Sequence, residues 1–140
     1  MKIETTILKN LLQNEDYARK VLPFLNDEYF TENSDKIIYN QINNFILKYN
    51  SLPNKEALNI ELSEAKITEE DFKESINLIN EIGKDDQEFS DLSWLLDSTE
   101  KFCQDKAIYN AVVESISILD NPKSTTDKGA IPDILSDALS

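Results

Sequence analysis

This chain of 140 residues contains no histidine, one cysteine and two glycines, and each shortage removes a class of chemistry. Without histidine there is no Ser-His or Cys-His dyad, no ordinary general base near neutral pH and no usual zinc ligand. Cys103 has no partner in the chain for a disulfide, and its place on an apolar helical stripe reads as core rather than nucleophile. Gly83 and Gly129 lie too far apart to build a phosphate-cradling GxxxxGK[ST] loop. The acidic run DDQEFSD at 85–91 lacks the ligand spacing, turn glycine and terminal Glu of a calcium loop, so it reads as a solvated connection between helices. No catalysis, cofactor or metal is expected of this chain itself.

Cations are scarce as well. Fourteen basic residues stand against 27 acidic ones, a net charge of −13, which disfavours binding to a phosphate backbone because that affinity depends on cations displacing counterions. Such a surface repels nucleic acid and attracts a basic partner, or simply keeps the chain in solution. No apolar run approaches the roughly 20 residues that span a bilayer. The opening MKIETTILKNLL lacks the features of a secretory signal, and a lone cysteine suits a reducing cytoplasm.

What the sequence has throughout is apolar spacing of three and four residues, with no strand-like alternation, so an all-α fold is expected. Ile3, Ile7, Leu8, Leu11 and Leu12 predict a first helix, and Asn14 caps a second that runs to Val21. The segment LPFLNDEYF turns a corner. Asn33 or Ser34 opens a third helix with Ile37, Ile38, Ile42, Phe45, Ile46 and Tyr49 inward. Asn50 to Pro53 is a loop before a short helix, NKEALNIEL. Thr68 caps a fifth helix carrying Phe72, Ile76, Ile79 and Ile82, which Gly83 is expected to close.

The sixth helix, from its N-cap Asp91 to about Leu119, is a rod of about 40 Å at 1.5 Å per residue. At roughly 100° per residue, Leu92, Leu95, Leu96, Thr99, Phe102, Cys103 and Ala107 share one face. Beyond Lys106 the apolar residues, Ile108, Tyr109, Ala111, Val112, Val113, Ile116, Ile118 and Leu119, form a wide arc centred nearly half a turn away. One straight helix does not put both stripes on one core. The simpler expectation is that residues 1–105 form a globular bundle and 106–140 a protruding helical hairpin, the polar loop DNPKSTTDKG letting a helix at Pro132–Leu139 return. The alternative is that the first five helices cover the whole rod. Apolar surface left on the hairpin would be a self-association element. Trp94, in phase with the later arc, either packs beneath the loop after helix five or anchors a partner.

Four stretches in this order, KVLPFLNDEYF (20–30), ILKYNSLPNKEALNIEL (46–62), DLSWLLDSTEKFCQDKAIYNAVVESI (91–116) and GAIPDILSDALS (129–140), carry a family likeness. The chain resembles the N-terminal domain of the DnaB-like hexameric replicative DNA helicases of tailed phages. The resemblance implies a helical bundle with a hairpin that pairs between subunits into a hexameric collar, and a docking surface for primase in the primosome. Its implied oligomer interface is Tyr109, Val112, Val113, Ile116 and Leu119 on one arm and Ile131, Ile134 and Leu135 on the other. ATP and Mg would belong to a motor domain following a linker, so Ser140 reads as a truncation, and the location implied is the cytoplasm of an infected bacterium. The competing function is a stand-alone acidic helical adaptor or inhibitor that binds a host nucleic-acid-processing protein.

Overall fold

In the computed structural model, which describes residues 2–84, 91–123 and 125–140, every helix starts where a cap or an apolar repeat predicts one. The described residues form seven α-helices and two short 3₁₀ turns, and no β-strand: α1 (Ile3–Gln13), α2 (Glu15–Val21), α3 (Asn33–Tyr49), α4 (Lys55–Glu64), α5 (Glu69–Lys84), α6 (Leu92–Asp120) and α7 (Ile131–Leu139). The expected all-α class is what the chain adopts. Its residues group into two compact units, Met1–Thr99 and Glu100–Ser140.

Side-chain caps open α2, α4, α5 and α6. Asn14 Oδ1 accepts from the Tyr17 amide at 3.0 Å, and Asn54 Oδ1 from the Ala57 amide at 2.7 Å. Thr68 Oγ1 accepts from Asp71 N and Asp91 Oδ1 from Trp94 N, both at 3.1 Å. Each satisfies an amide that the helix leaves without a carbonyl, a contribution of about 1 kcal/mol. α3 ends at Asn50, whose φ of 53° is left-handed, a conformation that asparagine tolerates better than most residues. Arg19 reaches across from α2 to hold that turn, donating to Asn50 Oδ1 and Asn50 O as well as to Glu15 Oε1.

α3 packs against α1, α4 and α5, and α1 also meets α2 and α5. Ile7, Leu8, Leu11, Ile38, Ile42, Leu58, Leu62 and Ile79 are fully buried at these contacts. Two polar aromatics finish the core. Tyr39 stacks on Phe30 at 5.5 Å between ring centres, and its hydroxyl donates to Leu25 O, which locks the corner 22–30 onto α3. Thr99 Oγ1 donates back to Leu95 O at 2.7 Å and lies 2.6 Å from the Tyr17 hydroxyl, which supplies the proton of that contact.

Two expectations fail here. Tyr49 is exposed in the last turn of α3, its ring resting on Phe45 at 4.7 Å, while Tyr39 takes the buried aromatic role. Gly83 does not end α5. It lies inside the helix with negative φ, since Lys84 continues the helical turn. At the end of α7 the Ser140 amide and hydroxyl both donate to Asp137 O. The expected connection at 85–90 lies outside the described residues.

Candidate interaction surface

In the unit Glu100–Ser140, the part of α6 from residue 100 onward has two apolar sides with different fates. Ala111, Ser115 and Ile118 are buried, and Ser115 Oγ donates to Ala111 O at 2.7 Å. Tyr109, Val112, Val113, Ile116 and Leu119 keep between 42% and 64% of their surface exposed. At about 100° per residue the centres of these two rows are roughly 130° apart. Two small residues in the buried row, Ala111 and Ser115, allow another backbone to approach closely. The exposed row consists of large or β-branched side chains suited to filling a partner's surface.

α7 repeats the division. Ile131, Ile134 and Ala138 are half-buried on one side, and Leu135 and Leu139 are exposed about a quarter turn away, Leu139 by 73%. Pro132 sits in the first turn, where its missing amide proton costs nothing, and Asp133 favours that end of the helix dipole. Between the helices the chain turns through Asn121, whose Oδ1 accepts from Lys123 N, and through Asp127, whose carbonyl accepts from Ala130 N. Ile118, Leu119, Pro122 and Thr125 to Lys128 line an open cleft of about 390 Å³ at this tip.

All eight residues expected at an oligomer interface are thus surface or half-surface positions in this single copy. Five make one row on α6, while Ile131 and Ile134 lie on the half-buried side of α7 and Leu135 on its exposed side. Sequence reasoning missed Ile108 and Leu139 as exposed members, although their apolar character and helical phase were signals. It also placed Ala111 and Ile118 in one undivided arc. Lys106 Nζ stands 6.0 Å from the Tyr109 ring centre, the outer limit of a cation–π contact, so the ring's face remains largely open. In the first unit Trp94 is 53% exposed, with no covering element over about half of its surface.

Nothing described has the arrangement of a catalytic centre. Burial, with the Glu100 charge second, pushes the Cys103 thiol up to about 11, so it stays protonated and unreactive at neutral pH. An open cleft of about 690 Å³ includes Asp27, Asn33, Lys36, Asn40 and Lys66, but several of its polar groups are committed to one another. Lys36 Nζ donates to Asp27 O and Asn40 Nδ2 to Asp27 Oδ2, each at 3.2 Å. Among the described residues no group of three His, Cys, Asp or Glu side chains is placed to hold a metal. No helix among them is long and apolar enough to cross a membrane.

These features define an all-α protein that leaves a row of large apolar side chains on α6 exposed. No protein-family model matches the chain. It is, however, 34% identical over 142 residues to the DnaB-like replicative helicase of Enterobacteria phage T4, an alignment covering 96% of this chain and 29% of that protein. The chain is a relative of the DnaB-like replicative helicases and spans less than a third of the length of that one.

Proposed function

We propose that this chain is the N-terminal collar domain of a phage replicative DNA helicase, joining helicase subunits through residues 106–140 and offering primase a docking surface. The observation that carries the reading is the uncovered row Tyr109, Val112, Val113, Ile116 and Leu119. In this reading residues 106–140 are a hairpin whose arms cover each other through the half-buried side of α7, Ile131, Ile134 and Ala138, and the small buried row of α6, Ala111, Ser115 and Ile118. The large side chains are left for a second copy. Leu135 extends that surface from the other arm.

Magnitudes favour self-pairing. Covering the exposed half of a Val-, Ile- or Leu-sized side chain is worth about 1 kcal/mol, so one row supplies roughly 5 kcal/mol. Association alone costs about 4–15 kcal/mol, which one row meets only at its lower limit. A two-fold contact uses the same row twice and doubles the gain. Pairs of this kind, repeated, order a hexameric collar.

Catalysis lies outside this sequence. The complete helicase would bind ATP and Mg in a separate motor and act on DNA in the cytoplasm of the infected bacterium. The collar adds no strong nucleic-acid contact, because its charge of −13 opposes phosphate. The same charge attracts a basic priming protein, and exposed Trp94 is a suitable aromatic anchor for one.

Light scattering over a concentration series tests the reading. Val112→Glu combined with Ile116→Glu should leave helical content unchanged and weaken self-association at least tenfold, the loss expected when two charges enter an apolar contact. Loss of helical signal in that variant would mean that these residues support the fold itself, and the collar reading would fail.

A further inference from the structure

Far along the chain from the apolar row, a cavity of about 440 Å³ in the first unit lies between the start of α3 and the outer face of α5. Its lining brings together four carboxylates, Glu32, Asp35, Glu74 and Glu81, and one ammonium, Lys2. Lys2 Nζ is already engaged with Glu32 Oε1 at 3.0 Å. Asp35 is different from the other three acids: only 3% of the residue is exposed, and its Oδ2 is shut off from solvent with no hydrogen-bond partner. A buried carboxylate oxygen left unsatisfied is costly, and proteins normally supply a donor for it.

We propose that this cavity is a socket for the arginine side chain of a basic protein partner, with Asp35 as the carboxylate at its floor. A guanidinium fits on three counts. It is planar and presents several donors, so it can serve Asp35 while its outer edge meets Glu74 or Glu81 on the α5 wall. It is more weakly hydrated than an ammonium, so it loses less on entering a cavity. The surplus of carboxylates repels phosphate and carboxylate ligands, and the acids lack the clustering that a divalent metal requires. Burial, the leading cause, raises the Asp35 carboxyl above its usual range, with Glu32 and Glu4 adding to the shift and Lys2 opposing it. An incoming cation would reverse that strain. The socket belongs to residues 2–81 and does not depend on self-association through α6 and α7.

Heteronuclear NMR on the 140-residue chain, titrated with the peptide acetyl-Gly-Arg-Gly-amide and with its citrulline counterpart, tests the assignment. Saturable shifts confined to residues 32–36 and 74–81 are expected with the arginine peptide and not with the citrulline peptide. Asp35→Asn, with its fold checked by circular dichroism, should weaken binding about tenfold, as loss of a charge-assisted hydrogen bond implies. Glu81→Gln, an exposed position that does not endanger folding, should weaken it about twofold and decides the matter if the Asn variant fails to fold. Equal responses to the two peptides would overturn the socket. So would shifts scattered over the acidic surface, or affinities unchanged by both substitutions.

Discussion

The two compact units are built from the same kind of residue and treat it in opposite ways. In Met1–Thr99 a helical stripe of Ile and Leu marks a face that a neighbouring helix covers, as Ile38 and Ile42 of α3 and Leu58 and Leu62 of α4 show. In Glu100–Ser140 an equally apolar stripe, Tyr109 to Leu119, stands open. The difference lies in the supply of partners. The first unit has five complete helices and the start of a sixth with which to cover its stripes. The second has part of α6 and the nine-residue α7, too little surface to enclose an arc that wide. Hydrophobicity by itself therefore does not define a core in this chain; covered hydrophobicity does.

The sharpest way to break that comparison is to truncate one residue from each stripe. Ile42→Ala should cost about 2–5 kcal/mol in urea unfolding, because it leaves a void in a packed interior. Ile116→Ala should change the unfolding free energy of the dilute chain by no more than about 0.5 kcal/mol. Equal costs would show that the second stripe is core after all. A smaller effect, about 1 kcal/mol, is expected from Asn54→Ala, which removes the side-chain acceptor opening α4. That loss should appear in urea unfolding without any change in self-association, since the cap belongs to the first unit.

The subtlest test concerns pH. Burial raises the Asp35 carboxyl in the folded chain, so the folded state holds its proton more tightly than the unfolded state does. The stability this gives is complete below the unfolded value near 3.8 and is lost as pH rises through the folded value. Asp35→Asn should therefore be the more stable protein near neutral pH, with its advantage over the parent shrinking as the medium is acidified towards 3.8. Thermal melts across pH 3–7 would measure it. An Asn variant that is less stable at neutral pH would mean that the carboxylate makes a stabilising contact.

Much of the fold could be read from local signals. Asn14, Asn54, Thr68 and Asp91 open helices because a short side chain with an acceptor oxygen matches a free amide two or three residues ahead. The change of phase along α6 was legible for the same reason: it needs only the 3.6-residue repeat. Tyr49 was misjudged because periodicity shows which residues share a face and not how much of that face a neighbour covers. Gly83 was misjudged because a glycine signals a cap only when the chain after it leaves the helix. Asp35 gave no sign at all. An aspartate in the first turn of a helix ordinarily faces water, and its burial follows from the packing around α3.

The sequence by itself determined that this chain would be helical, where most of its helices begin, and that its longest helix carries two apolar stripes out of phase. These are properties of consecutive residues, set by backbone geometry and nearby hydrogen bonds. Only the tertiary structure decided which stripe is enclosed, that the later arc divides into a small buried row and a large exposed one, and that one oxygen of Asp35 is shut off from solvent without a hydrogen-bond partner. Burial depends on surfaces brought together from distant parts of the chain, and no local pattern records it.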